Sequence, residues 1–246
     1  MEDQSYNLER ISSIRIVPFD SSCLERKYLA SCGARYFEIS ESLAIFVELL
    51  GRTRSFPETA RLFSAARGRQ YSEDDVKAVY REYVLPIMDE QPEKPKMFIW
   101  SRELLVQETV SWLSGLFKVL FRPVIAGMLL LCIIALEIIF FSQDTAVSVG
   151  DIDMVYIIAI ALLFVASSCV HELGHATACS YFGAHPRGIG FGLYLNFPAF
   201  YTDVSDIWVL DRKKRMVVNF AGVYFQLIFL IPFFIVYFAT GNQLVK

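Results

Sequence analysis

The segment "HELGH", residues 171–175, has the residue types and spacing of a metal-dependent hydrolase. On a helix, His171 and His175 lie one turn apart on the same face, so both imidazoles can bind one Zn²⁺ ion. Glu172 projects beside them and can take a proton from metal-bound water and pass it to a leaving amine. The pattern predicts zinc as the cofactor, His171 and His175 as ligands, and Glu172 as the catalytic residue.

The motif lies late in an apolar run, where ionisable side chains are costly and by default indicate a function. Lys118 and Arg122 precede the first of three such runs, and a basic segment at 212–215 precedes the third. The connector at 142–153 contains Asp but no Lys or Arg. The positive-inside rule therefore places the N-terminal domain in the cytoplasm of a multi-pass protein of the cell membrane. The predicted spans are about residues 123–141, 154–178 and 216–238.

The charged residues of the chain are concentrated in its N-terminal part. Of 246 residues, 54% are hydrophobic, yet more than half of the charged side chains lie before residue 100. This asymmetry predicts a small soluble α+β domain followed by an α-helical membrane domain with at least three spanning helices. In the soluble part we expect strands at 13–19 and 35–39 and helices at 41–50, 57–66 and 73–84.

Capping patterns and a linker mark the boundaries of these elements. Ser55 with Glu58, and Ser72 with Asp75, have the spacing of capping boxes at helix starts. The Pro- and Lys-rich segment "DEQPEKPK", residues 89–96, is predicted to be a linker.

Residues 96–122 are expected to complete this linker and form an interfacial amphipathic helix before the first span. Its apolar residues share one helical face, which is typical of a helix lying on a membrane. The alternative is a helix packed on the soluble domain. The residues of this face are Trp112, Leu113, Leu116, Phe117 and Leu120.

A third zinc ligand is needed beyond the two histidines, and no Glu follows Glu172. His185 lies in a predicted turn and is expected to be exposed, and Asp211 belongs to a solvated basic segment. Asp203 and Asp206 lie in an aromatic-rich segment that could fold back toward the site. Asp203 is the preferred ligand and Asp206 the next, with capping of the following helix as the alternative role for both.

Glycines alternate with apolar residues in "RGIGFGLY", residues 187–194, which favours a strand or hairpin dipping into the membrane. The edge of this strand could bind an unwound substrate by strand addition, and glycine packing is the alternative.

Nearly the whole chain, most strongly residues 165–227 and more weakly those before 92, resembles the site-2 protease class of membrane zinc metalloproteases (peptidase family M50), and within it the peptide zinc metalloprotease branch. The segments that carry the resemblance are "HELGHA", "FPAFYTDVSDIW", "DRKKR" and "NFAGVYFQLIF". Residues 1–95 are similar to a PqqD-like winged-helix domain in "RYFEISESLAIFVELLGRTRSFPETARLF" and "YSEDDVKAVY". The resemblance implies a cytosolic peptide-binding domain at 1–95 and a membrane metalloprotease domain at 123–246.

The resemblance also implies a substrate and partners. The substrate would be a membrane-associated or leader-bearing peptide in a maturation or export system, with a peptide exporter and the lipid bilayer as partners. Nucleic acid is not expected, because acidic residues outnumber basic ones in residues 1–100.

One departure from the family concerns the third ligand. Members of the family supply it from an Asn-Pro…Leu-Asp-Gly motif in a later spanning helix, and the sequence up to Lys246 contains no such motif. Either the chain is C-terminally incomplete, or Asp203 or Asp206 substitutes. A non-catalytic membrane adaptor that presents peptides to an exporter is therefore the alternative function.

Overall fold

The computed structural model describes residues 8–21, 25–33, 35–88, 98–143 and 153–240. The chain divides into two units, and each is described by itself. The first contains residues 1–94 and 208–212, and the second contains residues 95–207 and 213–246. The predicted linker at 89–96 lies outside the described residues.

An antiparallel three-stranded sheet opens the first unit, with strand order β1-β2-β3. The strands are β1 (Arg15–Phe19), β2 (Lys27–Cys32) and β3 (Arg35–Ser40). The sequence pattern predicts β1 and β3 as strands but gives no signal for β2. The reason is that its buried residues, Leu29 and Ala30, are adjacent, so the strand lacks the alternation that marks a half-buried strand.

Helices follow the sheet, and their first turns test the capping predictions. Ser72 and Asp75 form the predicted capping box, with each side chain accepting from the other residue's backbone N–H. The predicted box at Ser55 and Glu58 is wrong, because the Ser55 hydroxyl makes no capping bond. The helices are α1 (Glu41–Thr53), α2 (Phe56–Arg67), α3 (Glu73–Val79), a π-helical turn (Tyr80–Val84) and α4 (Leu85–Met88).

The core of the first unit lies between these helices and the sheet. Phe46 and Leu50 of α1 are buried, as are Val76 and Tyr80 of the following helices. The ring of Phe46 meets that of Phe63 edge to face, with centroids 5.5 Å apart. Each such buried side chain contributes about 1.5–3 kcal/mol. The unit therefore has its own hydrophobic core.

Three long apolar helices dominate the second unit, and the prediction of three helices able to span a membrane is confirmed. Each is longer than the predicted apolar run, because the backbone continues helical into flanking polar residues. The helices are α6 (Pro123–Ser142), α7 (Met154–Tyr181) and α8 (Arg212–Thr240).

The segment before the first span contains a strand and a helix. β4 (Phe98–Leu105) was not predicted, since its partner strand lies about ninety residues later in the sequence. The helix α5 (Gln107–Phe117) buries Val110 against Ala176 of α7, whereas Trp112 is 69% exposed. The helix thus packs on α7 through one face and presents apolar side chains on the other.

A second antiparallel sheet completes this unit, with the strand order β4-β5-β6. The strands β5 (Ile189–Tyr194) and β6 (Phe197–Thr202) form a hairpin around Leu195 and Asn196. Both turn residues have positive φ, at 46° and 81°, as a two-residue type I′ hairpin turn requires.

The strand predicted at 187–194 is therefore present as β5, and it forms its hairpin with β6, but β5 itself offers no edge to a substrate strand. β4 and β6 pair with both sides of β5, so neither side is left for a substrate strand. Its glycines make room for neighbours instead. A Cβ at Gly190 would overlap the Tyr201 ring, and one at Gly192 would overlap Phe98.

Candidate metal centre

The helix α7 brings the two imidazoles of the motif together. The Nε2 atoms of His171 and His175 are 3.0 Å apart, and the rings are inclined at 76°. Both residues are half-buried. The spacing of four residues therefore produces the shared face that the sequence predicted.

The helix α8 provides a hydrogen-bond acceptor for the other nitrogen of each ring. Nδ1–H of His175 donates to the backbone carbonyl of Val218 over 2.7 Å. Nδ1–H of His171 donates to Oε1 of Gln226 over 3.0 Å. We assign the protons from the acceptor character of these partners, which leaves both Nε2 atoms with free lone pairs.

Two lone pairs facing each other at 3.0 Å repel unless a cation or proton lies between them, so the donor set fits a metal ion. Two nitrogen ligands of a tetrahedral zinc, each at about 2.05 Å, lie about 3.3 Å apart. The distance between the Nε2 atoms is within a few tenths of an ångström of that value. His171 and His175 could hold Zn²⁺ with only small ring adjustments.

Glu172 is held by the last residue of the hairpin. The Thr202 hydroxyl lies 2.7 Å from Oε2 of Glu172 and 3.1 Å from its backbone carbonyl, and donates to them. For Oε1 of Glu172 there is no hydrogen-bond partner among the residues that the structure describes. The bond to Thr202 fixes one carboxylate oxygen and leaves the other able to accept a proton.

Close contact between α7 and α8 makes this geometry possible. A Cβ at Gly222 would lie 2.5 Å from Nε2 of His171, and one at Gly174 would overlap the carbonyl of Ala221. Gly222 and Gly174 therefore allow the two helices to approach closely at the site.

The two helices run antiparallel, and residues spaced four apart on α7 face residues spaced four apart on α8. We call this arrangement the matching steps of α7 and α8. The facing pairs are Ser167 with Gln226, His171 with Gly222, and His175 with Val218.

A cavity of about 710 Å³ opens beside the motif. Ser168, His171, Glu172 and Gln226 are its polar residues, and aromatic side chains such as Phe191 and Phe200 line its walls. An apolar cavity with a few convergent polar groups is the usual form of a binding site.

Asp203, the preferred third ligand, makes other contacts in this structure. Its Oδ1 accepts from the backbone N–H and hydroxyl of Ser205, and its Oδ2 accepts from Arg187 over 3.3 Å. Arg187 also reaches Asp206 at 3.5 Å. This arrangement closes the base of the hairpin and begins the 3₁₀ helix at Ser205, which agrees with the capping alternative.

No group of three His, Cys, Asp or Glu side chains suited to one metal occurs within residues 8–21, 25–33, 35–88, 98–143 and 153–240. The other two candidates, His185 and Asp211, are exposed. The structure thus brings His171, His175 and Glu172 together, and the third ligand stays a prediction.

Sequence reasoning did not find Gln226 or Thr202. Both lie far along the chain from the residues they hold, and neither belongs to a catalytic motif. A signal was present for Gln226, because Val218, Gly222 and Gln226 repeat the four-residue spacing of the histidines. No comparable signal marked Thr202.

A comparison with known proteins gives a partial likeness. A stretch of 68 residues is 32% identical to the Bacillus subtilis (strain 168) protein named "Putative peptide zinc metalloprotease protein YydH". The stretch covers 27% of this chain and 27% of that protein, so it spans about a quarter of the relative's length. No family model matches the chain, and no solved structure matches it. The likeness is consistent with a metalloprotease family.

Proposed function

We propose that this chain is a membrane-embedded zinc metalloendopeptidase of the site-2 protease class (M50-like), with residues 123–246 as its protease domain. The facing Nε2 lone pairs of His171 and His175 carry this proposal, because they form a donor pair suited to a cation. Glu172 lies beside the pair, in a cavity whose walls are apolar. The name of the partial relative, a zinc metalloprotease, supports the same assignment.

We assign each residue of the site a separate role in peptide hydrolysis. His171 and His175 would hold the zinc, which would make water a better nucleophile and polarise the scissile carbonyl. Oε1 of Glu172 takes the proton of the attacking water and then delivers it to the leaving amine. Thr202 keeps the carboxylate turned toward the cavity through its bond to Oε2.

Asp203 is proposed as the third ligand, with Asp206 as the alternative. Either carboxylate must leave Arg187 to reach the histidines, and Asp203 must also leave Ser205. Asp203→Asn should lower the zinc content of the detergent-purified full chain from about one per chain to well below one, while Asp206→Asn retains it. Equal zinc contents in the wild type and both variants would exclude both aspartates as ligands.

The first unit is proposed to be a PqqD-like winged-helix domain on the cytoplasmic side that binds a leader peptide. A three-stranded sheet followed by helices, with its own core, supports this assignment. The proposed substrate is a membrane-associated or leader-bearing peptide. A peptide exporter and the lipid bilayer are the proposed partners.

Glu172→Gln tests the catalytic proposal. The full chain is reconstituted in vesicles and incubated with zinc and two probes, denatured casein and a synthetic apolar peptide of about twenty residues. The wild type should cut at least one probe, and Glu172→Gln should bind zinc equally well but cut neither. Equal cleavage by the variant would exclude Glu172 as the general base.

A second candidate function is a non-catalytic membrane adaptor that presents peptides to an exporter. The absence of a three-residue metal group from the described residues favours it. The adaptor predicts peptide binding with little zinc in the wild-type chain, and the protease predicts about one zinc per chain.

A further inference from the structure

We infer that Gln226 is a positioning residue for His171, holding the ring in the tautomer and orientation that can bind a metal ion. This inference rests on the proposed zinc site and adds a residue that the motif does not contain. Gln226 touches His171 through its amide oxygen, at 3.0 Å from Nδ1.

The two histidines are held in different ways. His175 faces a backbone carbonyl, which can only accept, so its Nδ1 must carry a proton and, in the neutral ring, its Nε2 keeps a free lone pair. His171 faces a primary amide, which offers an acceptor at one end and a donor at the other. The amide orientation therefore decides whether Nε2 of His171 is a ligand or a proton donor.

Ser167 holds the far end of this amide. The Nε2 group of Gln226 donates to the hydroxyl of Ser167 over 3.2 Å. Ser167 lies one helical turn before His171, so Gln226 bridges two successive turns of α7 from the neighbouring helix. With its NH₂ group directed to Ser167, the amide presents its oxygen to His171.

Gly222, one turn before Gln226, makes room for the ring that Gln226 holds. A neutral amide also suits this position, because a carboxylate within a spanning segment costs more to bury. The helix α8 thus supplies both space and a hydrogen-bond acceptor for one ligand of α7.

Cobalt(II) binding to the full chain in detergent, followed by visible absorption, tests the inference directly. Gln226→Met keeps the side-chain length but removes the amide, and should weaken cobalt affinity about 10–100-fold, the usual cost of losing a ligand's hydrogen-bond partner. Gln226→Glu retains an acceptor for Nδ1–H and should bind cobalt within about threefold of the wild type or more tightly.

Ser167→Ala and Tyr237→Phe complete the series. Ser167→Ala should weaken binding by less than Gln226→Met, and adding it to Gln226→Met should cause little further loss, because both residues act through one amide. Tyr237→Phe removes another side-chain hydrogen bond of α8, to Gln143, away from the site, and should leave cobalt affinity unchanged.

The outcomes separate this inference from the proposed function. If the wild type binds cobalt and Gln226→Met binds it equally well, the positioning role is overturned and the metal site stands. If Gln226→Met does not fold, the cobalt affinities of Gln226→Glu and Ser167→Ala test the positioning role instead. The inference is overturned if Gln226→Glu loses cobalt affinity while Ser167→Ala keeps the affinity of the wild type. A wild type that binds no cobalt overturns the proposed function and this inference together.

Discussion

Gly222→Ala should weaken metal binding at least about 10–100-fold while leaving the helix bundle folded. The added Cβ would lie 2.5 Å from Nε2 of His171 and 2.6 Å from two of its ring carbons. Carbon contacts are favourable from about 3.5 Å, so the ring or the helix must move by about 1 Å. A shift of that size takes the 3.0 Å bond between His171 and Gln226 beyond hydrogen-bond range.

The expected loss follows from this displacement. Loss of a ligand's hydrogen-bond partner typically weakens metal affinity about 10–100-fold, which corresponds to about 1.4–2.7 kcal/mol. We expect at least that for Gly222→Ala, because the ligand atom itself is displaced. The overpacking should cost about 1–3 kcal/mol of stability, which leaves room for a folded bundle.

Cobalt titration and thermal unfolding of the same detergent-purified samples measure both effects. Gly127→Ala is the matched control, since it adds the same methyl group to α6 with no atom within 4 Å. The control should bind cobalt like the wild type. Wild-type cobalt affinity in Gly222→Ala would refute the reasoning, because the ring could then not lie where the structure places it.

Two further predictions concern hydrogen bonds to carboxylates. Thr202→Val should lower kcat for probe cleavage about tenfold or more and leave zinc content unchanged, while Thr202→Ser retains activity, because the bond to Glu172 orients the base. Equal kcat in the two variants would contradict this role. The pKa of Asp75 lies below its ordinary value, because the backbone N–H and then the hydroxyl of Ser72 donate to it. Because the pKa of Asp75 is lower in the folded protein than in the unfolded chain, ionised Asp75 stabilises the fold at pH values above the unfolded pKa of 3.8. This stabilisation is lost as the pH falls through the lower pKa of the folded protein. The Tm difference between wild type and Ser72→Ala should therefore shrink as pH falls from 6 to 2, and a constant difference would count against it.

Structural elements that depend on residues close together in the sequence could be predicted from spacing, hydropathy and capping residues. The histidine pair lies on a helix as its spacing predicted, and three long apolar helices occur where hydropathy placed them. The capping box at Ser72 is present as predicted, whereas the Ser55 hydroxyl makes no capping bond, although both residue pairs have the same spacing.

Features that depend on distant residues could not be predicted in the same way. β4 pairs with a strand about ninety residues later, and no local alternation revealed that pairing. Gln226 and Thr202 reach the motif only because α8 and the hairpin pack against α7. The ion pairs of Arg187 with Asp203 and Asp206 also join residues that are distant in the sequence, and spacing alone does not reveal them.

The matching steps of α7 and α8 have a consequence for insertions and deletions. One residue added between 167 and 175, or between 218 and 226, turns everything beyond it by about 100° around the helix axis. The facing pairs on one side of the insertion would then separate, and the two histidines would lose partners on α8. By contrast, residues added at the turn of Leu195 and Asn196 leave both helices in register. Homologous chains should therefore vary in length at this turn and keep constant length along both helix segments.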